Sequence, residues 1–128
     1  MPRPELRLQR RVEAYTYIAS QAPNFVAQMW WLDIETENSW SENDLGRNQN
    51  VITGALRYLG VERHFIVGIY STQAMWQEIT GGWQVGLPVW VGGGTKEKAR
   101  TWCGTGFTGG PVYLVQYANG DYDGNLAC

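Results

Sequence analysis

His64-Phe65-Ile66-Val67-Gly68-Ile69-Tyr70 is apolar at almost every position. That is the pattern of a parallel strand buried on both faces. Just upstream, Val51, Ile52, Ala55, Leu56 and Leu59 recur at helical spacing and predict a helix over residues 44–60. Ser41-Glu42-Asn43-Asp44 fits a capping box at its start, and Gly60 closes it. Just downstream, the pattern over Gln73–Ile79 is again helical and stops at Gly81-Gly82, and Leu87-Pro88-Val89-Trp90-Val91 is another buried strand. Further out, residues 29–35 (MWWLDIE) read as a strand, 96–102 as a short helix, 112–117 as a strand and 121–125 as a last short one. Val12, Tyr15, Ile18 or Ala19, and Ala22 place an amphipathic helix at the N-terminus, ended near Pro23. Strands alternating with helices over short connections predict βαβ units and an α/β fold on a mostly parallel sheet.

Composition narrows the function. The 128 residues suit one domain with a real core, carry a formal net charge of −2, and are only 17% charged. Sequence-independent nucleic-acid binding needs a basic face, which this balance lacks. No apolar run approaches a membrane span, and the basic start (four Arg against two Glu over residues 1–13) lacks the apolar stretch of a signal peptide. A single histidine, His64, removes multi-histidine zinc sites. Seven tryptophans and seven tyrosines exceed what the core needs. Partly exposed, such rings are what sugars stack on. Thirteen of the 16 glycines lie between Gly68 and Gly124, so the second half is rich in loops at the strand ends where α/β folds build sites.

Asp33-Ile34-Glu35 carries the sharpest chemistry. Alternation puts Asp33 and Glu35 on one face of the strand, about 6.6 Å apart, with Leu32 and Ile34 on the other. Two carboxylates at that spacing repel, so one pKa rises and a proton donor stands beside a persistent anion. Glycosidic-bond cleavage uses that arrangement. The same residues also fit a strand simply running out into a polar loop. Asp121-Tyr122-Asp123-Gly124-Asn125 begins like a calcium loop, but Leu126 holds the position that needs glycine and no closing Glu follows. It is either a plain turn or a second wall of the carboxylate site. Among the aromatics, Trp31, Phe65 and Trp76 read as core. Trp40, Trp83, Trp90, Tyr70 and Tyr117, at strand ends or in loops, are open to either core or groove.

Other motifs fail on context. Gly104-Thr105-Gly106-Phe107-Thr108-Gly109 matches a dinucleotide fingerprint but follows a helix and leads into a strand, the reverse of what pyrophosphate binding needs. Gly92-Gly93-Gly94-Thr95-Lys96 is not a phosphate loop. His64, opening a buried strand, reads as structural, and no serine nucleophile elbow is present. Cys103 and Cys128 lack metal or redox spacing and read as a disulfide tying the C-terminus to the loop after the last helix, which implies an oxidising compartment.

Several of these pieces, in order, resemble the C-terminal half of family-25 glycoside hydrolases, the lysozyme-type N-acetylmuramidases, and look closer still to actinobacterial glycoside-hydrolase-like proteins. Trp31-Leu32-Asp33-Ile34-Glu35 resembles the D-x-E strand. Val67-Gly68-Ile69-Tyr70-Ser71-Thr72, with Trp76 and Ile79, resembles the next strand and helix. Leu87-Pro88-Val89-Trp90-Val91 resembles the L-P-x-W strand, with Gly92–Gly94 replacing the residues that follow. Gln116-Tyr117 and Asp123-Gly124-Asn125 resemble the closing Q-Y and D-x-N elements. The resemblance implies a partial (β/α) barrel of about five strands, residues 1–128 forming one incomplete domain with its helix in 1–26 and βα units in 29–125. It implies Glu35 as general acid/base, with Asp33 and Asp123 supporting substrate and developing cation. Tyr70, Trp90, Gln116 and Tyr117 would bind substrate. Help from the substrate's own N-acetyl group implies no cofactor and no metal. The implied partner is a peptidoglycan-like polysaccharide outside the cell, with neither nucleic acid nor membrane. The family's first strand and two further βα units have no counterpart here, so the chain reads as starting mid-barrel. A fragment, a half barrel that pairs with a second copy, and a noncatalytic carbohydrate-binding remnant are the three readings of that.

Overall fold

The computed structural model describes residues 29–128, so the helix expected before Pro23 lies outside the described residues. Five strands form one sheet in chain order: β1 (Met29–Asp33), β2 (Ile66–Ser71), β3 (Val89–Gly94), β4 (Val112–Asn119) and β5 (Tyr122–Ala127). The first four are parallel and β5 returns antiparallel to β4. Helix α1 (Leu45–Leu56) lies between β1 and β2, and α2 (Gln73–Thr80) between β2 and β3. The sheet curls into a half-barrel with the helices on its outer side.

Alternation sorts the sheet. Leu32, Ile34, Val67 and Ile69 point outward and are buried with Ile52, Ala55, Trp76 and Ile79 of the helices, while Val89, Val91 and Val115 form a second cluster with Val112 and Ala99. Trp31, Asp33, Gly68, Tyr70, Trp90 and Gln116 share the inner side by register. That side is not fully covered: Ile66 is 60% exposed, so β2 is buried on both faces only through Val67, Gly68 and Ile69.

Several boundaries differ from expectation. His64 does not open β2. It is exposed, with φ of 59°, in the turn that delivers the chain to the strand. Asp44, not Ser41, caps α1, its carboxylate accepting from Arg47 N–H at 3.0 Å, while Ser41 Oγ accepts from Asp44 N–H. Gly60 does not end that helix. The chain widens into a π-helical turn over Arg57–Glu62, where Arg63 N–H donates to Tyr58 O at 3.0 Å. The helix expected over 96–102 is only a 3₁₀ turn, Ala99–Trp102. The segment 121–125 is no plain turn but falls largely within β5, entered through Gly120 at φ of 61°.

One buried polar side chain ties the loop after β1 to both helices. Asn48, fully buried in α1, donates through Nδ2 to Ser41 O (2.8 Å) and Ile79 O (2.9 Å), and its Oδ1 accepts from Ser41 N–H (2.9 Å). Asn48→Leu keeps the branched shape but is bulkier and strands those backbone groups, and is expected to cost about 2–4 kcal/mol. Urea unfolding at unchanged m-value measures it; a loss below about 1 kcal/mol would mean water replaces the asparagine.

Candidate functional site

β1 delivers Asp33 and Glu35 to the inner side at the carboxyl ends of the parallel strands. Their backbone is clamped from several directions. Ile34 N–H donates to Tyr70 O at 2.8 Å, and the buried Ser71 hydroxyl donates to Ile34 O at 2.6 Å. Glu35 O accepts from Asn38 N–H (3.1 Å) and from the Trp40 indole (2.9 Å), while Asn38 Nδ2 donates to Asp33 O (3.2 Å). Ser71, Asn38 and Trp40 therefore hold the carboxylate pair without entering the groove.

The groove is a cavity of about 310 Å³ lined by Trp31, Asp33, Glu35, Tyr70, Trp90 and Gln116. Its aromatic walls meet edge to face: Tyr70 and Trp90 centroids lie 4.9 Å apart, and Trp31 and Trp90 5.8 Å apart. Trp31 is thus a wall residue rather than core. Its ring lies over Gly68, where a Cβ would come within 2.4 Å of the ring, so the bare backbone of β2 makes room for it.

Electrostatics match the crowding. Glu35 is pushed up to about 7 from 4.5, first by a hydrogen bond with Asp33, then by burial and by the Asp33 charge, with Glu37 adding to the effect. Tyr70 is raised by burial and then by Glu35, Asp33, Asp123 and Glu37. The Tyr70 ring therefore sits in the field of both acidic clusters.

Asp123 joins through a relay. Tyr70 OH donates to Gln116 Oε1 at 2.5 Å, and Gln116 Nε2 donates to Asp123 Oδ2 at 3.3 Å. Asp123 itself is exposed, on β5. Asn125, also on β5, accepts from the Trp90 indole at 2.8 Å. Tyr117 is the expected groove residue that the structure does not bring there. It packs on the outer side against the core around Val115, its ring over Gly124, where a Cβ would lie 2.4 Å from it. Trp83 likewise stacks on Trp76 in the outer layer. Phe65 is half-buried against the core as expected.

The disulfide expected from the sequence is present. Cys103–Cys128 ties the end of the chain to the loop after the 3₁₀ turn, and Cys128 N–H donates to Tyr113 O at 2.9 Å. A larger cavity of about 500 Å³ lies between the start of α2 and that loop, bordered by Thr72, Trp102, Cys103 and Phe107. Its lining holds no group that titrates, whereas the smaller groove holds Asp33 and Glu35. Among the described residues, no group of three or more His, Cys, Asp or Glu is arranged to hold a metal ion. No described helix is long and apolar enough to cross a membrane.

No curated protein and no solved structure matches the chain. The family described as Lysozyme-like protein 1 matches residues 7–99, which covers β1 through β3 and both helices, and includes the Asp33–Glu35 pair with Tyr70 and Trp90. With well over half of its length matched, this chain belongs to the Lysozyme-like protein 1 family.

Proposed function

We propose that the groove is the active site of a glycoside hydrolase of the family-25 type, acting on the amino-sugar backbone of peptidoglycan. The observation that carries this reading is the pairing of Glu35 with Asp33 inside an aromatic-walled groove, a pairing that pushes the Glu35 carboxyl up to about 7. In this reading Glu35 gives its proton to the glycosidic oxygen as the bond to the anomeric carbon breaks. The substrate's own N-acetyl oxygen attacks that carbon, and water then displaces it, returning a proton to Glu35. Asp33 and Asp123 support the positive charge that develops on the sugar, and Trp90, Trp31 and Tyr70 hold its rings. The disulfide suits an oxidising, extracellular setting.

A second reading is favoured by the exposed inner side of the sheet, where Ile66 and Tyr113 are open to solvent: a module that binds the polymer without cutting it. Release of reducing ends from purified peptidoglycan separates the two. Binding with no release supports the module; release supports the hydrolase.

The pH dependence is a sharper test. A general acid that titrates near 7 is lost as pH rises, so turnover is expected to fall about tenfold per pH unit well above 7. Stability follows the same group. Its pKa is raised on folding, so its contribution is fully present below about 4.5 and is lost as pH rises through about 7. Thermal unfolding across that window is expected to show a falling Tm. A pH-independent rate between 6 and 9 would remove Glu35 from the acid role.

A further inference from the structure

We propose that Asn125 is a positioning residue that sets the orientation of the Trp90 ring as a saccharide platform. This rests on the reading of the groove as a sugar site.

Trp90 is the central wall of the groove, with Tyr70 edge-on at 4.9 Å and Trp31 at 5.8 Å. Those contacts limit the ring but do not choose which way its edge points, because the outer torsion of tryptophan is broad and nearly two-fold. The choice is made across the sheet. Trp90 stands on β3 and Asn125 on β5, with β4 between them, and the indole Nε1–H reaches over to Asn125 Oδ1 at 2.8 Å. An indole nitrogen only donates, so the asparagine must present its oxygen to it. Asn125 is paired in register with Gln116, whose amide is already committed at both ends to Tyr70 and Asp123. Two side-chain bridges therefore run to β5 from the inner side: Gln116 to Asp123, and Trp90 to Asn125. The first handles charge. The second fixes a flat apolar surface, and a sugar ring binds such a surface best when its tilt is already set.

The test uses the whole chain, with Asn125→Ala and Asn125→Asp. The aspartate keeps an acceptor for the indole; the alanine does not. Asn125 is exposed on an edge strand, so neither variant threatens the core. Two quantities are read: the Trp90 indole N–H resonance, assigned with Trp90→Phe, and the affinity for a soluble tetrasaccharide of β-linked N-acetyl amino sugars. Asn125→Ala is expected to move the resonance to a solvent-bonded position and to weaken binding roughly two- to tenfold, raising KM with kcat little changed. Asn125→Asp is expected to restore both the bonded resonance and most of the affinity. Equal weakening in both variants, or an unmoved resonance in Asn125→Ala, overturns the proposal. A wild-type chain that neither binds nor cleaves the saccharide overturns the functional reading instead, and the resonance alone then decides whether Asn125 holds Trp90.

Discussion

Glu35→Gln is expected to lower reducing-end release from peptidoglycan by about 10²- to 10⁴-fold, the contribution of a positioned general acid. The substitution keeps the side chain's shape and can still hydrogen-bond Asp33, but it has no proton to give. The same change should raise stability. In the native groove Glu35 and Asp33 share a hydrogen bond that survives only while a proton is present, and Glu37 adds a further like charge. An uncharged amide removes that conflict at every pH. Activity and Tm are therefore expected to move in opposite directions above about pH 7, and the fall in Tm through the Glu35 titration should vanish. Unchanged turnover would end the assignment of Glu35. Lost turnover with lowered Tm would mean that the glutamate is structural.

Trp76→Ala is expected to be the most damaging change to the fold. Trp76 is 1% exposed on α2, stacked on Trp83 at 6.3 Å with planes 4° apart, and packed against Phe107 at 5.6 Å. Its indole donates to Trp83 O at 2.9 Å, so the ring both fills the outer layer and pins the Gly81–Val85 loop. Truncation leaves a cavity and an unpaired carbonyl, at a cost of about 3–5 kcal/mol. Domains of this size are stable by only about 5–15 kcal/mol, so much of the margin disappears. Chemical denaturation followed by far-ultraviolet circular dichroism measures the loss without relying on tryptophan emission. Trp76→Phe should recover part of the loss, because it fills most of the space but leaves the Trp83 carbonyl without its donor.

The parallel sheet was legible because its evidence is periodic. HFIVGIY and LPVWV are apolar at almost every position, and the helices beside them repeat at three and four. The carboxylate pair was legible for the same reason, since residues 33 and 35 must share a face. The same alternation reaches further along the strands. Trp31 has the same parity as Asp33 and Glu35, and so belongs to the groove despite its apolar neighbours. Gln116 and Tyr117 are adjacent on one strand and cannot both face inward; Gln116 does, and Tyr117 goes to the core. What local pattern could not supply was partnership between distant residues. Nothing near Trp40 marks its bond to the Glu35 carbonyl, and nothing near Asn125 marks its bond to Trp90. The direction of β5, by contrast, was within reach: three residues between 117 and 121 are too few for a crossover, so a tight return through Gly120 makes it antiparallel.

The two acidic walls stand on the outermost strands of the described sheet, Asp33 at the end of β1 and Asp123 on β5. The span between them is thus the sum of four inter-strand rotations, each typically about 20–25°. It behaves like the opening of a caliper whose hinge is spread over the whole sheet. The register slips between Val89 and Trp90 and between Val91 and Gly94 fall in the middle of that span. The width of the groove is then a property of the whole sheet, set as much by the outward-facing Val89 and Val91 as by the side chains that line it.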